Sequence, residues 1–207
     1  MVEINSIDNI KRMLARGTAN KPHDGSSDFD LNPEISTSWP TPLNLRPAAV
    51  LVPIIERKTG LKVILTKRAS HLKHHPGQIA FPGGKKDETD ANETVTALRE
   101  ADEEIGLKTE NVDVLGQMPF HETVTHFQIT PIVGRVRQDF DPRPEPGEVA
   151  EVFEVPLSHL TDPKNYIVEG RFWGGAKRFY YVVPFGPYYI WGATARMLRG
   201  FAERLAL

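Results

Sequence analysis

The sequence predicts an α/β (α+β) fold around a mixed β-sheet. Two observations carry this. Apolar runs of strand length recur at 48–55, 61–66, 112–118, 126–137 and 148–154. Segments with helical spacing of apolar residues fall between and after them, at 91–105 and 190–205, so helices and strands interleave and helices are expected on the sheet's faces. With 207 residues, 40% of them hydrophobic, the chain can bury a sizeable core.

Each element has its own warrant. Ile4, Ile7, Ile10, Met13 and Leu14 recur at helical spacing over 3–16, with Ser6 as a cap. Residues 17–47 are rich in Ser, Asp, Asn, Thr and Pro and read as an extended arm or a partly ordered lead-in. The runs 48–55 and 61–66, separated by ERKTG, predict a hairpin. Residues 67–84 mix bases, histidines and glycines, which suits a functional loop around a short strand at 78–81. Asp90 and Glu93 resemble a capping box ahead of a helix carrying Ala91, Val95, Leu98 and Ala101, and Gly106 supplies its stop. Pro142, Pro144 and Pro146 stiffen a loop at 141–147. Strands at 165–172 and 177–183 are joined across Trp173-Gly174-Gly175, and Trp191, Ala195, Leu198, Ala202 and Leu205 line the last helix.

Composition excludes several functions. Lys+Arg 25 against Asp+Glu 27 leaves a net charge of −2, so no bulk field draws nucleic acid or anionic lipid. The absence of cysteine removes disulfides, thiolate metal sites and cysteine nucleophiles. No segment reads as a membrane span and the first residues lack a secretory signal pattern, so a cytoplasmic protein is expected.

The informative stretch runs from Gly83-Gly84 to Leu107. Residues three and four apart share a helix face, so Glu100, Glu103 and Glu104 project together. Three carboxylates within a turn repel one another unless water or a hard divalent cation neutralises them. Oxygen ligands without cysteine favour Mg²⁺ or Mn²⁺ over zinc. Arg99 adjoins them and can orient a carboxylate through a bidentate pair. The competing reading is a solvated acidic face. The glycine pair ahead of the helix, which allows close backbone approach to a ligand, weighs against it.

Arg99-Glu100-Ala101-Asp102-Glu103-Glu104-Ile105-Gly106-Leu107 resembles the core of the Nudix box, the loop–helix–loop signature of Nudix hydrolases. That pattern runs Gly, five residues, Glu, seven residues, then Arg-Glu-apolar-x-Glu-Glu-x-Gly-apolar. Everything from Arg99 onward matches. Upstream, the expected Glu falls on Ala91 and the expected Gly on Lys85. A one-residue insertion repairs the register and leaves Asp87, Glu88 or Asp90 near the missing acid.

Residues 65–84 resemble a second signature, that of the coenzyme A pyrophosphatase branch. Arg68, Ala69, Gly77 and Phe81-Pro82-Gly83-Gly84 fall in place, while Lys73 stands where the pattern has Arg. The longer box and Trp191-Gly192-Ala193-Thr194 also resemble this branch. The resemblance covers most of 43–205. It implies a Nudix-type α/β/α sandwich over 43–207, preceded by a helix and arm over 1–42. It also implies metal-dependent hydrolysis of coenzyme A or its derivatives to 3′,5′-ADP and 4′-phosphopantetheine.

The residue roles follow from the resemblance. Glu100, Glu103 and Glu104 are expected to hold Mg²⁺ or Mn²⁺, with Arg99 orienting them. Glu148, in Pro146-Gly147-Glu148, is an expected further ligand or general base, with Glu145 and Glu151 as confounders. Lys67, Arg68, Lys73, Gly83 and Gly84 are expected to bind substrate, the cations holding phosphates that include the 3′-phosphate. His71, His74 and His75 extend this basic loop. Several aromatic residues between 172 and 191 are expected in the core, with one or two free to stack on a base. The partner is a small nucleoside diphosphate rather than nucleic acid or membrane, and exposed strands are compatible with a homodimer. Two other readings stay open: a Nudix hydrolase of ADP-ribose or NADH, and a non-catalytic Nudix-like binding domain.

Overall fold

The computed structural model describes residues 6–17, 25–36, 44–173 and 175–206. Helix α1 (Ile7–Gly17) starts where Ser6 Oγ accepts the amide of Asn9 at 3.2 Å, so the predicted cap forms. Positions 3–5 of the expected helix and Gly174 of the expected hairpin turn lie outside the described residues. Strand β1 (Ser26–Ser27) and helix α2 (Pro33–Ser36) follow.

Strands β2 (Arg46–Arg57) and β3 (Gly60–Arg68) form the predicted hairpin, with Gly60 at φ 104° closing its turn. They pair only near that turn, Ile54–Arg57 against Gly60–Val63, and then diverge. The gap is filled by chain 79–85. Strand β4 (Ile79–Ala80) pairs with Thr66 and Lys67 of β3, and β5 (Gly83–Lys85) pairs with Ala48–Val50 of β2. The Leu51 amide donates to the Pro82 carbonyl at 2.9 Å between them. A Cβ on Gly83 would stand 2.5 Å from the Ala49 carbonyl oxygen, so glycine is what lets this segment lie against β2. The short strand expected at 78–81 is β4, and β5 is a further strand just beyond it, on a different neighbour.

Helix α3 (Glu93–Ile105) leaves this wedge. Strands β6 (Val112–Gln117), β7 (His121–Glu122) and β8 (Phe127–Val136) come next, and β8 runs parallel to β2 from Arg46↔Phe127 to Ile54↔Arg135. Strand β9 (Val149–Pro156) lies antiparallel to the outer edge of β3. Helix α4 (Leu157–Thr161), the predicted hairpin β10 (Ile167–Trp173) and β11 (Ala176–Val182), and helix α5 (Gly192–Leu205) complete the chain.

Period-two alternation assigns the sheet's faces. Ala49, Leu51, Ile55 and Ile64 pack on one side with Ala97, Ala101 and Ile105 of α3. Val52, Ile54, Val63 and Leu65 pack on the other with residues of α1, α4 and α5. The result is the α/β/α sandwich with a mixed sheet.

Of the two readings of the segment after α1, the described residues fit the partly ordered lead-in. Ile10, Met13 and Leu14 are buried, and β1 joins the main sheet beside β7. Asp28 and Ser26 hold the fully buried His121 at 3.0 and 2.9 Å. The Asn32 side chain exchanges two hydrogen bonds with the Phe179 backbone at 2.9 and 2.7 Å. Short polar residues that look like loop in sequence act here as fasteners. Among the described residues no helix is long and apolar enough to cross a membrane.

Candidate active site

Asn92, not Asp90, caps α3, accepting the Val95 amide at 3.0 Å. Asp90 is drawn away into a different role. Its buried carboxylate receives Arg99 Nε at 3.2 Å and Nη2 at 2.9 Å, the Thr96 hydroxyl at 3.0 Å and the Asp87 amide at 3.0 Å. The Arg99 guanidinium, with these added donors, holds its carboxyl well below the usual carboxylate range. Among the three acids left open by the sequence, Asp90 is the one paired bidentately with Arg99, while Asp87 stays 3.8 Å from it. Asp90 also lies six positions beyond Gly84, with five residues between them, as the pattern spaces its Gly and Glu. The inserted residue thus falls between Asp90 and Arg99.

Arg99 uses its remaining nitrogen on the acids of the helix. Nη1 donates to Glu100 at 2.9 Å and to Glu103 at 3.0 Å, and Nη2 reaches the Lys85 carbonyl at 3.4 Å. Glu103 is exposed at the rim, whereas Glu104 is buried and accepts the Gly83 amide at 3.1 Å. Burial is the main cause that pushes Glu104 up to about 8, reinforced by the negative charges of Glu100 and Glu148 and opposed by the Gly83 amide and Arg68. Glu100 is raised as well, first by burial, against the pull of Arg99. Gly84 lies so near that a Cβ there would stand 2.6 Å from the Glu100 carboxylate.

The Pro-rich loop brings Glu148 to the same place. Arg143 and Glu145 donate their amides to the carbonyls of Ile105 and Glu104, both at 2.9 Å, and the Glu148 carbonyl receives the Ala69 amide at 2.8 Å. The loop is laced to the end of α3 and the end of β3 together. Glu148 is exposed, and its charge acts on both Glu100 and Glu104. Glu145 turns onto the Gly147 amide at 3.3 Å, and Glu151 takes the Tyr188 hydroxyl.

The charge of Glu148 thus raises the cost of ionising Glu100 and Glu104, and that of Glu100 adds to it at Glu104, with too few donors to offset them. This surplus of hard oxygen and negative charge fits a divalent cation. Among the described residues no three such side chains close into a metal cage. The site is an open acidic face rather than an all-protein cage, which suits an ion that also binds substrate phosphates.

The last two residues of β3 point to opposite faces. Arg68 lies on the α3 side, near enough to act on Glu104, and its Nε is buried with no hydrogen-bond partner among the described residues. Lys67 lies on the α5 side and borders a cleft of about 390 Å³ with His75, Gln78, Tyr188, Tyr189 and Trp191. Thr194 Oγ1 donates to the Ile79 carbonyl at 3.1 Å, so the Trp191–Thr194 segment clamps the loop that forms the cleft wall. Lys73, His71 and His74 are exposed and do not line it. Against the expectation that most aromatics between 172 and 191 lie in the core, none of the described ones is fully buried. Phe172, Phe179 and Tyr189 are exposed, and Tyr180, Tyr181, Tyr188 and Trp191 are half-buried, because they lie on the β10–β11 hairpin and the segment after it rather than in the main sheet.

Comparison with known proteins agrees with this geometry. Residues 45–172 match the NUDIX domain family. The chain is 42% identical over 166 residues to an uncharacterized Nudix hydrolase, NudL, of Enterobacter sp. (strain 638), covering 80% of this chain and 85% of the relative. It is 39% identical over 178 residues to the NudL of Shigella flexneri, covering 86% and 90%. A MutT/nudix family protein from Enterococcus faecalis superposes with a TM-score of 0.51 over 84% of this chain and 69% of that one, at 15% identity, a likeness of fold alone. On the family match and these relatives, the chain belongs to the Nudix hydrolase family.

Proposed function

We propose that this Nudix hydrolase cleaves the pyrophosphate bond of coenzyme A or its derivatives, with residues 43–207 as the hydrolase domain. The coarser statement, hydrolysis of a nucleoside diphosphate derivative, rests on the family. The finer one is carried by a single observation. The segment 65–84, which bears the coenzyme A signature, meets the acidic helix through the bond from the Gly83 amide to Glu104. Two motifs 15 or more residues apart therefore form one site.

The reaction is displacement at phosphorus by water. The water oxygen attacks one phosphorus, the bridging P–O bond breaks, and 3′,5′-ADP and 4′-phosphopantetheine leave. Nudix hydrolases generally use divalent metal ions. Glu100 and Glu104 would hold Mg²⁺ or Mn²⁺, with Glu103 completing the set. The ion, when bound, supplies positive charge against the diphosphate and the charge developing on the attacking water. Arg99 keeps Glu100 and Glu103 in place while Asp90 keeps Arg99 in place. Glu148, exposed beside the cluster, accepts the proton from water. Arg68, with its unpartnered buried Nε, and Lys67 and Lys73 supply cations for the phosphates. Gly83 and Gly84 let the backbone approach without a side chain in the way.

The test is product analysis by mass spectrometry after incubation with coenzyme A and Mg²⁺ or Mn²⁺, beside ADP-ribose and NADH. Metal-dependent release of 3′,5′-ADP and 4′-phosphopantetheine is expected. Cleavage of only the other diphosphates would retain the acidic helix and discard the substrate. Metal binding without any cleavage would favour a binding domain.

A further inference from the structure

We infer that the cleft beneath Trp191 and Tyr189 binds the adenine 3′-phosphate end of the substrate, so that recognition and hydrolysis occupy opposite faces of β3. This rests on the coenzyme A reading, and it assigns a place and a set of residues to the end of the molecule that the acidic helix does not touch.

Four features of the cleft point to a flat, anionic ligand. First, its aromatic walls are rigid. The Tyr188 ring stacks on Phe153 with centroids 3.5 Å apart and planes within 7°, and its hydroxyl is engaged by Glu151. Tyr189 donates its hydroxyl to Glu169 at 2.5 Å, and Trp191 leans on Tyr180 with centroids 5.1 Å apart. With the tyrosine hydroxyls committed, what these side chains offer a ligand is ring surface. Second, Tyr189 remains 43% exposed while its hydroxyl is tied to Glu169, so its ring is open to a ligand. Tyr189 and Trp191 stand 6.4 Å apart and 41° out of parallel. They cannot sandwich a base between parallel faces. A planar base lies flat on one ring with its edge toward the other.

Third, the polar groups suit a purine nucleotide. Lys67 makes no ion pair among the described residues, although Glu151 is its cross-strand neighbour on β9. Glu151 is already taken by Tyr188, which leaves the Lys67 ammonium for a phosphate. The His75 imidazole adds a neutral donor, and the Gln78 amide has the donor–acceptor pair that matches an adenine edge. Fourth, the wall is tied down: the Thr194 hydroxyl donates to the Ile79 carbonyl, the Arg68 amide to the Gln78 carbonyl at 3.0 Å and the Gln78 amide to the His75 carbonyl at 3.2 Å. Arg68 is within electrostatic reach of both His75 in the cleft wall and Glu104 on the acidic helix.

The experiment measures binding of 3′,5′-ADP and of 4′-phosphopantetheine by calorimetry, with steady-state kinetics on coenzyme A. Wild type is compared with Tyr189→Ala and Lys67→Ala, both at exposed positions that leave the core intact. Each variant is expected to weaken 3′,5′-ADP binding about tenfold, to raise KM for coenzyme A similarly, and to leave kcat within about twofold, the scale of one lost stacking or phosphate contact. Affinity for 4′-phosphopantetheine should not change. Tyr189→Phe should bind like wild type, because the ring and not its hydroxyl faces the ligand.

Unchanged 3′,5′-ADP binding in both variants, with coenzyme A still cleaved, would overturn the cleft and keep the substrate reading. Loss of 4′-phosphopantetheine binding instead would overturn it by reversing the ligand. If wild type fails to cleave coenzyme A yet binds 3′,5′-ADP through Tyr189 and Lys67, the cleft stands and the substrate reading falls.

Discussion

Arg99 and Asp90 form a two-point ion pair, Nε at 3.2 Å and Nη2 at 2.9 Å, and the same guanidinium reaches forward to Glu100 and Glu103. Asp90 is thus one step removed from the acids it organises. Asp90→Asn leaves shape unchanged but gives Arg99 only one acceptor oxygen there. A loss of about 2 kcal/mol in chemical denaturation is expected, less than for a fully buried pair because Arg99 keeps its other partners. Activity should fall with it, since Glu100 and Glu103 lose their brace. The folded-state pKa of Asp90 is depressed, so its contribution is complete above the ordinary carboxylate range near pH ~4 and is lost as pH falls below that. Wild type should therefore lose more stability than Asp90→Asn on going from pH ~6 to ~3. Parallel pH profiles for the two proteins would remove Asp90 from this role.

Glu104→Gln separates charge from shape. The amide oxygen can still accept from Gly83, so the turn should survive. Turnover should fall at least about a hundredfold, the scale of losing one charge-stabilising group at a reacting phosphorus. In chelator the variant should melt at or above wild type, because a buried, repelled carboxylate has been replaced by a neutral group. Near-wild-type turnover would discard Glu104 as a metal ligand.

The two glycines of the wedge should fail differently. Gly84→Ala places a methyl 2.6 Å from the Glu100 carboxylate, which must move aside. Metal affinity and kcat should drop together, roughly tenfold or more, with little change in melting. Gly83→Ala drives a methyl into the β2 backbone at Ala49 and Val50, so stability should fall as well. Equal melting temperatures for the two variants would contradict this distinction.

Glu148→Gln should lower kcat by about one to two orders of magnitude with KM and stability nearly unchanged, as for loss of a general base from an exposed loop. Glu145→Gln, whose carboxylate only serves the Gly147 amide, should stay within about twofold of wild type. A larger effect at Glu145 would exchange their roles.

How much of this could be read from the sequence depended on range. The apolar periodicity around Leu51, Ile64 and Ala101 located the sheet and α3, because burial imposes that spacing locally. The acids Glu100, Glu103 and Glu104 were legible because one helical turn relates them. Asp90 was not separable from Asp87 and Glu88, because its role depends on where Arg99, nine residues beyond it, folds back. The strand at 79–80 was legible, but β5 was hidden because a three-residue strand carries no period. How the arm is fastened was hidden because Asp28 and Asn32 find their partners, His121 and Phe179, 93 and 147 residues away.

Lys67 and Arg68, adjacent in sequence, face opposite sides of β3. With the nucleotide end in the cleft, as proposed, that arrangement separates selectivity from reactivity as design variables: saturation of positions 75, 78 and 189 would explore new leaving groups while α3 and its acids remain untouched.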